Sequence, residues 1–131
     1  MPKKILVVDD DPDFLEWIVT GLSNDGYTVT AVQSAQRGLV LAQQELPDLA
    51  IIDARLSDGD GFSVCKELKS KPTTAGIRVI LVTGIFKEIE YKQRACQVGS
   101  NDFLVKPFSY DQLRARVTTQ LEDEKFCTQL L

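Results

Sequence analysis

Five polar side chains in this chain stand directly behind short apolar runs: Asp9 and Asp10 after ILVV, Asp53 after LAII, Thr83 after VILV and Lys106 after FLV. A third acid, Asp11, completes the run DDD. Like charges about 4 Å apart repel by roughly 4 kcal/mol at an effective dielectric near 20, so acids clustered at the end of a buried strand call for a positive partner. Clustered carboxylates without soft ligands suit a hard cation, and Mg²⁺ takes one or two carboxylates together with waters and phosphate oxygens. In that company Asp53 has the chemistry of a nucleophile toward a phosphoryl group. The cation and a lysine neutralise charge on the equatorial oxygens, and a hydroxyl donates to one of them. Lys106 and Thr83 are the residue types for those two tasks.

Other chemistries are excluded by what the chain lacks. It has no histidine, which removes Ser-His-Asp and Cys-His catalysis and every histidine-bearing metal site. Any imidazole in its chemistry comes from a partner. Cys65, Cys96 and Cys127 are widely spaced with no CxxC pattern and read as ordinary reduced thiols. The formal net charge of −4 offers no basic footprint for nucleic acid or an anionic membrane. The start MPKKILVVDD lacks the layout of a signal peptide, and no apolar run approaches a membrane span, so a cytoplasmic protein is expected.

The elements that must position these residues follow from two periodicities. Apolar runs at 5–8, 27–32, 49–52, 79–82 and 103–105 read as strands, four of them rich in Val and Ile as strands covered on both faces are. Helical stripes lie between them: Phe14, Leu15, Ile18, Val19 and Leu22; Ala35, Leu39, Ala42 and Leu46; Leu113, Val117 and Leu121. Residues 87–98 form the weakest helical pattern, anchored by Ile89, Ala95 and Val98. Asp11 is placed to cap the first helix with Pro12 at its first position, and Ser109 with Gln112 forms a capping-box pattern before the last. Gly26, Gly76 and Gly99 fall at expected connections or helix ends. At 131 residues, one domain with a parallel sheet covered on both sides is expected. Such sheets bind ligands outside the carboxyl ends of their strands, where strand order reverses. An order of 2-1-3-4-5 would set Asp9 and Asp10 beside Asp53, with Thr83 and Lys106 on its other flank.

The stretches ILVVDDDPDF, LAIIDARLSDGDGF, VILVTG and NDFLVKPF resemble the phosphorylation-site motifs of response-regulator receiver domains, the CheY-like phosphoacceptors of two-component signalling. The resemblance spans about residues 3 to 121 and is an ordered set of motifs at the ends of four strands. It implies a flavodoxin-like α/β fold, a doubly wound five-stranded parallel sheet in the order 2-1-3-4-5 with five flanking helices. It further implies a receiver domain over 1–121, with 122–131 as a C-terminal tail or the start of a linker helix. Carried over by residue, Asp53 is the phosphoacceptor. Mg²⁺ is held by Asp53, Asp10 and the Arg55 carbonyl, and by Asp9 through water. Thr83 and Lys106 bind phosphoryl oxygens, Lys106 precedes a cis Pro107, and Phe103 is the switch aromatic that turns inward as Thr83 moves toward the phosphate. The implied partner is a histidine kinase or histidine phosphotransfer protein that supplies the phosphohistidine. The face of helix 4, strand 5 and helix 5 then changes its binding of a downstream protein or output domain. Such a domain catalyses its own Mg²⁺-dependent phosphorylation and slow dephosphorylation without being an enzyme in the usual sense. It is a monomer or a phosphorylation-dependent dimer, and it binds neither nucleic acid nor membrane directly.

Other readings stay open beside this one. Asp11 fits a helix cap better than a ligand, and Phe103 has the alternative of plain core packing. SDGDGF matches a calcium loop at Asp58, Asp60, Gly61 and Glu67, but Leu56 falls on the first ligand position, so a turn is expected. Ser57 replaces the family's usual proline and Phe103 its commoner tyrosine. Arg55 and Ile85, near the expected site mouth, are candidates for tuning phosphate lifetime. A haloacid-dehalogenase-type phosphatase would use Asp9 and Asp11 in a D-x-D pattern, yet Asp13 stands where Thr or Val is usual. An FMN carrier would need a Ser/Thr/Gly-rich loop where DDDPD stands. A phosphorylation-independent module on the same scaffold is the third alternative.

Overall fold

A computed structural model describes residues 2–84 and 88–130 of the chain. Its main sheet has five parallel strands, β1 (Lys4–Val8), β2 (Thr28–Val32), β3 (Leu49–Asp53), β4 (Arg78–Thr83) and β5 (Asp102–Val105). Five helices alternate with them: α1 (Pro12–Asn24), α2 (Ala35–Glu45), α3 (Gly61–Ser70), α4 (Glu88–Gln97) and α5 (Tyr110–Leu130). The strands lie in the order β2-β1-β3-β4-β5, the doubly wound arrangement implied by the motifs. Between β3 and α3 the chain doubles back through a two-residue antiparallel pairing, Arg55–Leu56 with Gly59–Asp60.

Successive side chains of a strand point to opposite faces, so a strand covered on both sides must be apolar throughout. In β1, Ile5 and Val7 join the cluster under α1 and α5 that includes Ile18, Leu22, Ile51, Ile80, Leu113 and Val117. Leu6 and Val8 join the cluster under α2, α3 and α4 that includes Ala42, Ile52, Phe62, Leu68, Leu81 and Ala95. The central position of β1 and β3 therefore explains the runs ILVV and LAII. Edge strand β2 is only partly covered, and its run starts at Thr28 because the Tyr27 amide donates instead to the Leu22 carbonyl, 3.2 Å away.

Helix ends follow local hydrogen bonding. The Asp11 carboxylate accepts from the Asp13 amide with Pro12 at the first helical position. Ser109 and Gln112 bond reciprocally, at 3.1 Å and 2.8 Å, as a capping box. The calcium-like acids are caps as well. Asp58 accepts from the Ala35 and Gln36 amides at the start of α2, and Asp60 accepts from the Ser63 amide at the start of α3. Asp58 thereby lashes the loop containing Ser57 to a neighbouring helix.

Leu46 departs from its expected place in the α2 stripe. It is the C-cap in left-handed backbone (φ 48°), 51% exposed, because the helix must end there before Pro47. Gly26 and Gly99 also have positive φ, whereas Gly76 does not. In α4, Ala95 is buried and Val98, just beyond it, packs on the same cluster. Ile85 and Lys87, and the side chains of Ile89 and Cys127, lie outside the described residues.

Candidate functional site

The polar residues at the strand ends belong to the ladder itself. Asp53 pairs with Val82 and Thr83 with Val105, one residue beyond the apolar runs, because ladder bonds need backbone and not an apolar side chain. The Lys106 amide continues the pattern by donating to the Thr83 carbonyl at 2.6 Å. The Lys106–Pro107 peptide is cis.

These elements bring three charged groups together at the carboxyl edge. Lys106 Nζ donates to Asp9 Oδ2 at 2.9 Å and to Asp53 Oδ2 at 3.0 Å. Asp9 is 1% exposed, and its other oxygen accepts from the Asp11 amide at 2.9 Å. Asp53 Oδ1 accepts from the Arg55 amide at 2.8 Å. β1 and β3 are the neighbours at which the strand order reverses, so the cluster lies at the switch point where doubly wound folds bind ligands. Asp10 is exposed at the next position, Arg55 is exposed in the two-residue pairing, and Phe103 is partly buried against the α2/α3/α4 cluster.

The electrostatics leave a deficit of positive charge. Burial pushes the Asp53 carboxyl up to about 6, with the Asp9 side chain adding to the rise. The Arg55 amide and the Lys106 ammonium pull the other way without cancelling it. Burial alone would lower the Lys106 ammonium, yet bonding to Asp9 and the charge of Asp53 hold it above its ordinary value. Two carboxylates thus share one lysine. At the end of β4, Thr83 Oγ1 is buried and has no hydrogen-bond partner among the described residues. An unmade hydrogen bond of this kind costs about 1–3 kcal/mol, and an acceptor arriving from outside would satisfy it.

Among the described residues, no three acidic or cysteine side chains converge closely enough to hold a metal ion by themselves. The donors present are nonetheless the hard oxygens that Mg²⁺ takes, and Mg²⁺ needs only one or two carboxylates, the rest being carbonyl, water and phosphate oxygens. Asp9 and Asp53, already sharing a cation in Lys106, fit that set, with Asp10 next in sequence to Asp9 and the Arg55 carbonyl two residues past Asp53. One contact has no counterpart in the motif reading. The Phe14 ring lies under Lys106 Nζ, 4.0 Å from its centroid. Phe14 reads from the sequence as one member of the α1 stripe, and no local signal ties it to a lysine 92 residues away.

Fold and site together define an α/β domain with a polar cluster at the switch point of a doubly wound sheet. The family model for the response regulator receiver domain matches residues 5–118. The chain belongs to this family, the receiver domains of response regulators in two-component signalling. It is 36% identical over 121 residues to the DNA-binding dual master transcriptional regulator RpaA of Synechocystis, covering 92% of this chain and 49% of that protein. It is 37% identical over 118 residues to the transcriptional regulatory protein HprR of Escherichia coli, covering 90% and 51%. The chain thus spans about half the length of these curated relatives. Among solved structures, a CheY-like response regulator receiver domain protein from Methanospirillum hungatei superposes with a TM-score of 0.88 at 26% identity, covering 95% of this chain and 98% of that one. Among the described residues, no helix is long and apolar enough to cross a membrane.

Proposed function

We propose that this domain accepts a phosphoryl group on Asp53 from a phosphohistidine of a histidine kinase or histidine phosphotransfer protein. The observation that carries the reading is the Asp53 carboxylate at the end of the central strand, sharing Lys106 Nζ with buried Asp9. An Asp53 carboxylate oxygen attacks phosphorus, the O–P bond forms as the N–P bond breaks, and the imidazole leaves on the partner. Lys106 turns from a carboxylate to a phosphoryl oxygen, and the Thr83 hydroxyl donates to another. Asp9, Asp10, Asp53 and the Arg55 carbonyl would hold Mg²⁺, which when bound screens the negative charge that gathers on the transferring group. Hydrolysis of the acyl phosphate on the same protein returns the resting state slowly.

Movement of Thr83 toward the phosphate opens space for Phe103, which turns inward and remodels the face of α4, β5 and α5. That face then selects a downstream protein or output domain. We assign residues 1–121 to the receiver unit and 122–131 to a C-terminal tail or the start of a linker helix, α5 running on past residue 121 to Leu130. The domain would work in the cytoplasm, as a monomer or as a dimer formed on phosphorylation.

Intact mass after incubation with phosphoramidate and Mg²⁺ tests the reading. One phosphoryl adduct is expected on the unmodified protein, and none on Asp53→Ala or without Mg²⁺. Absence of an adduct on the folded, unmodified protein, together with no binding of beryllofluoride, would place it with the phosphorylation-independent modules.

A further inference from the structure

We infer that Phe14 is a positioning residue for Lys106, holding its ammonium over the acceptor carboxylate through the face of the aromatic ring; the inference rests on the phosphoacceptor reading of Asp53. An ammonium has three N–H donors, and here two of them are taken by Asp9 Oδ2 and Asp53 Oδ2. The Phe14 ring occupies a further side of Nζ at 4.0 Å from its centroid, within the range where the ring quadrupole attracts a cation.

The ring is itself fixed in place. Phe14 lies in the first turn of α1, which is anchored by the Asp11 cap and Pro12. It meets Phe108 edge to face at 6.0 Å and Trp17 at 5.8 Å. Phe108 is two residues past Lys106, so one aromatic cluster grips both the lysine's chain segment and the lysine's charge.

The consequence concerns what happens when the carboxylates change partners. In the resting site Lys106 is held by two negative charges. Phosphoryl transfer consumes the Asp53 charge and asks Lys106 to bond a phosphoryl oxygen instead. A ring face attracts the ammonium at every stage, because its attraction does not depend on the charge of Asp9 or Asp53. It also limits the solvent positions open to a side chain that is 28% exposed. Loss of the ring would leave Lys106 free to hydrate as its carboxylate partners are taken, which penalises the transition state more than the resting site, where two carboxylates still hold the lysine.

The test measures the rate of phosphorylation by phosphoramidate across Mg²⁺ concentrations for Phe14→Leu and Phe14→Tyr, with Lys106→Met as the second arm of a double-mutant cycle. Phe14→Leu keeps apolar bulk and removes the ring. It is expected to lower the saturating rate about five- to thirty-fold, the size of one partly desolvated cation–π contact, without moving the half-saturating Mg²⁺ concentration. Phe14→Tyr, which keeps the ring, recovers most of the rate. In the Lys106→Met background, Phe14→Leu has no further effect. An independent readout is the ring-current shift of the Lys106 ε-methylene in NMR spectra, expected upfield in the unmodified protein and in Phe14→Tyr and lost in Phe14→Leu. A native rate in Phe14→Leu, or an equal loss in both backgrounds, would overturn the inference while leaving the acceptor role of Asp53 intact. No adduct on the unmodified protein, with the ring-current shift present, would instead sink the acceptor reading and the inference with it, the Phe14–Lys106 contact alone surviving.

Discussion

Gly61 is the residue on which β3 and α3 meet, and Gly61→Ala is expected to damage both stability and, on the proposed function, chemistry. A methyl group there would press on the Asp53 carbonyl oxygen, lie 2.9 Å from the Asp53 carbonyl carbon and 2.9 Å from Ile52 Cγ2. Two of these obstacles are backbone atoms of β3, which is paired on both sides with β1 and β4 and has little room to yield. The Gly61 amide also donates to the Ala54 carbonyl at 3.0 Å, and the Asp60 cap fixes the first turn that Gly61 opens. Overpacking of this kind costs about 1–3 kcal/mol, and alanine's better helix propensity returns at most about 1 kcal/mol. At roughly 3–5 °C per kcal/mol for a chain of this size, a net cost of about 1–2 kcal/mol lowers the Tm by about 3–10 °C. The displaced group is the Asp53 backbone, and a shift of about 1 Å in a reacting group can cost on the order of 100-fold in rate. Phosphorylation by phosphoramidate should therefore slow at least about tenfold at a temperature where the variant is folded. Circular-dichroism melting and a mass-spectrometric time course measure the two effects. Gly76→Ala is the control, since a methyl group there meets nothing within 4 Å, and its Tm should stay level or rise slightly. A Gly61→Ala protein with native Tm and native rate would refute the steric argument.

Leu46→Gly should stabilise the protein by up to about 1 kcal/mol, because a non-glycine residue in left-handed backbone carries a cost of that order and this side chain is half in solvent; a urea midpoint at or below that of the unmodified protein would count against it. The acid limb of stability should depend on Asp25 and Asp58. The Arg114 guanidinium and then the Tyr110 hydroxyl hold the Asp25 carboxyl below its ordinary value, and the Ala35 and Gln36 amides do the same for Asp58. A depressed folded-state value means that these contributions are complete above about pH 4 and fade as the pH falls through the folded values. Asp25→Asn should thus be less stable than the unmodified protein at pH 7, with the gap closing toward pH 3, and an equal gap at both pH values in urea titrations would contradict the assignment.

What could be read from the sequence was what depends on position along one strand. A parallel strand buried on both faces must be apolar, and its first polar residue marks the carboxyl edge, so Asp9, Asp53, Thr83 and Lys106 announced themselves by where their runs stopped. Capping is equally local, and the Asp11 and Ser109–Gln112 signals have their hydrogen bonds. Leu46 misled because its spacing continues the α2 stripe, while the following proline decides where the helix ends. Asp58 falls in the expected turn, but its cap on α2 was not legible, because its partners, the Ala35 and Gln36 amides, lie 23 and 22 residues earlier in the chain. Phe14 shows the same limit at the site itself. Its apolar spacing is satisfied by packing on Trp17 and Phe108, and only the closing of β1 beside β3, with β5 two strands further on, sets its ring against Lys106. The residues that carry charge are therefore legible one strand end at a time. The residues that hold those charges in place become legible only when the fold has joined distant segments, and a motif that lists the first kind understates how the site is built.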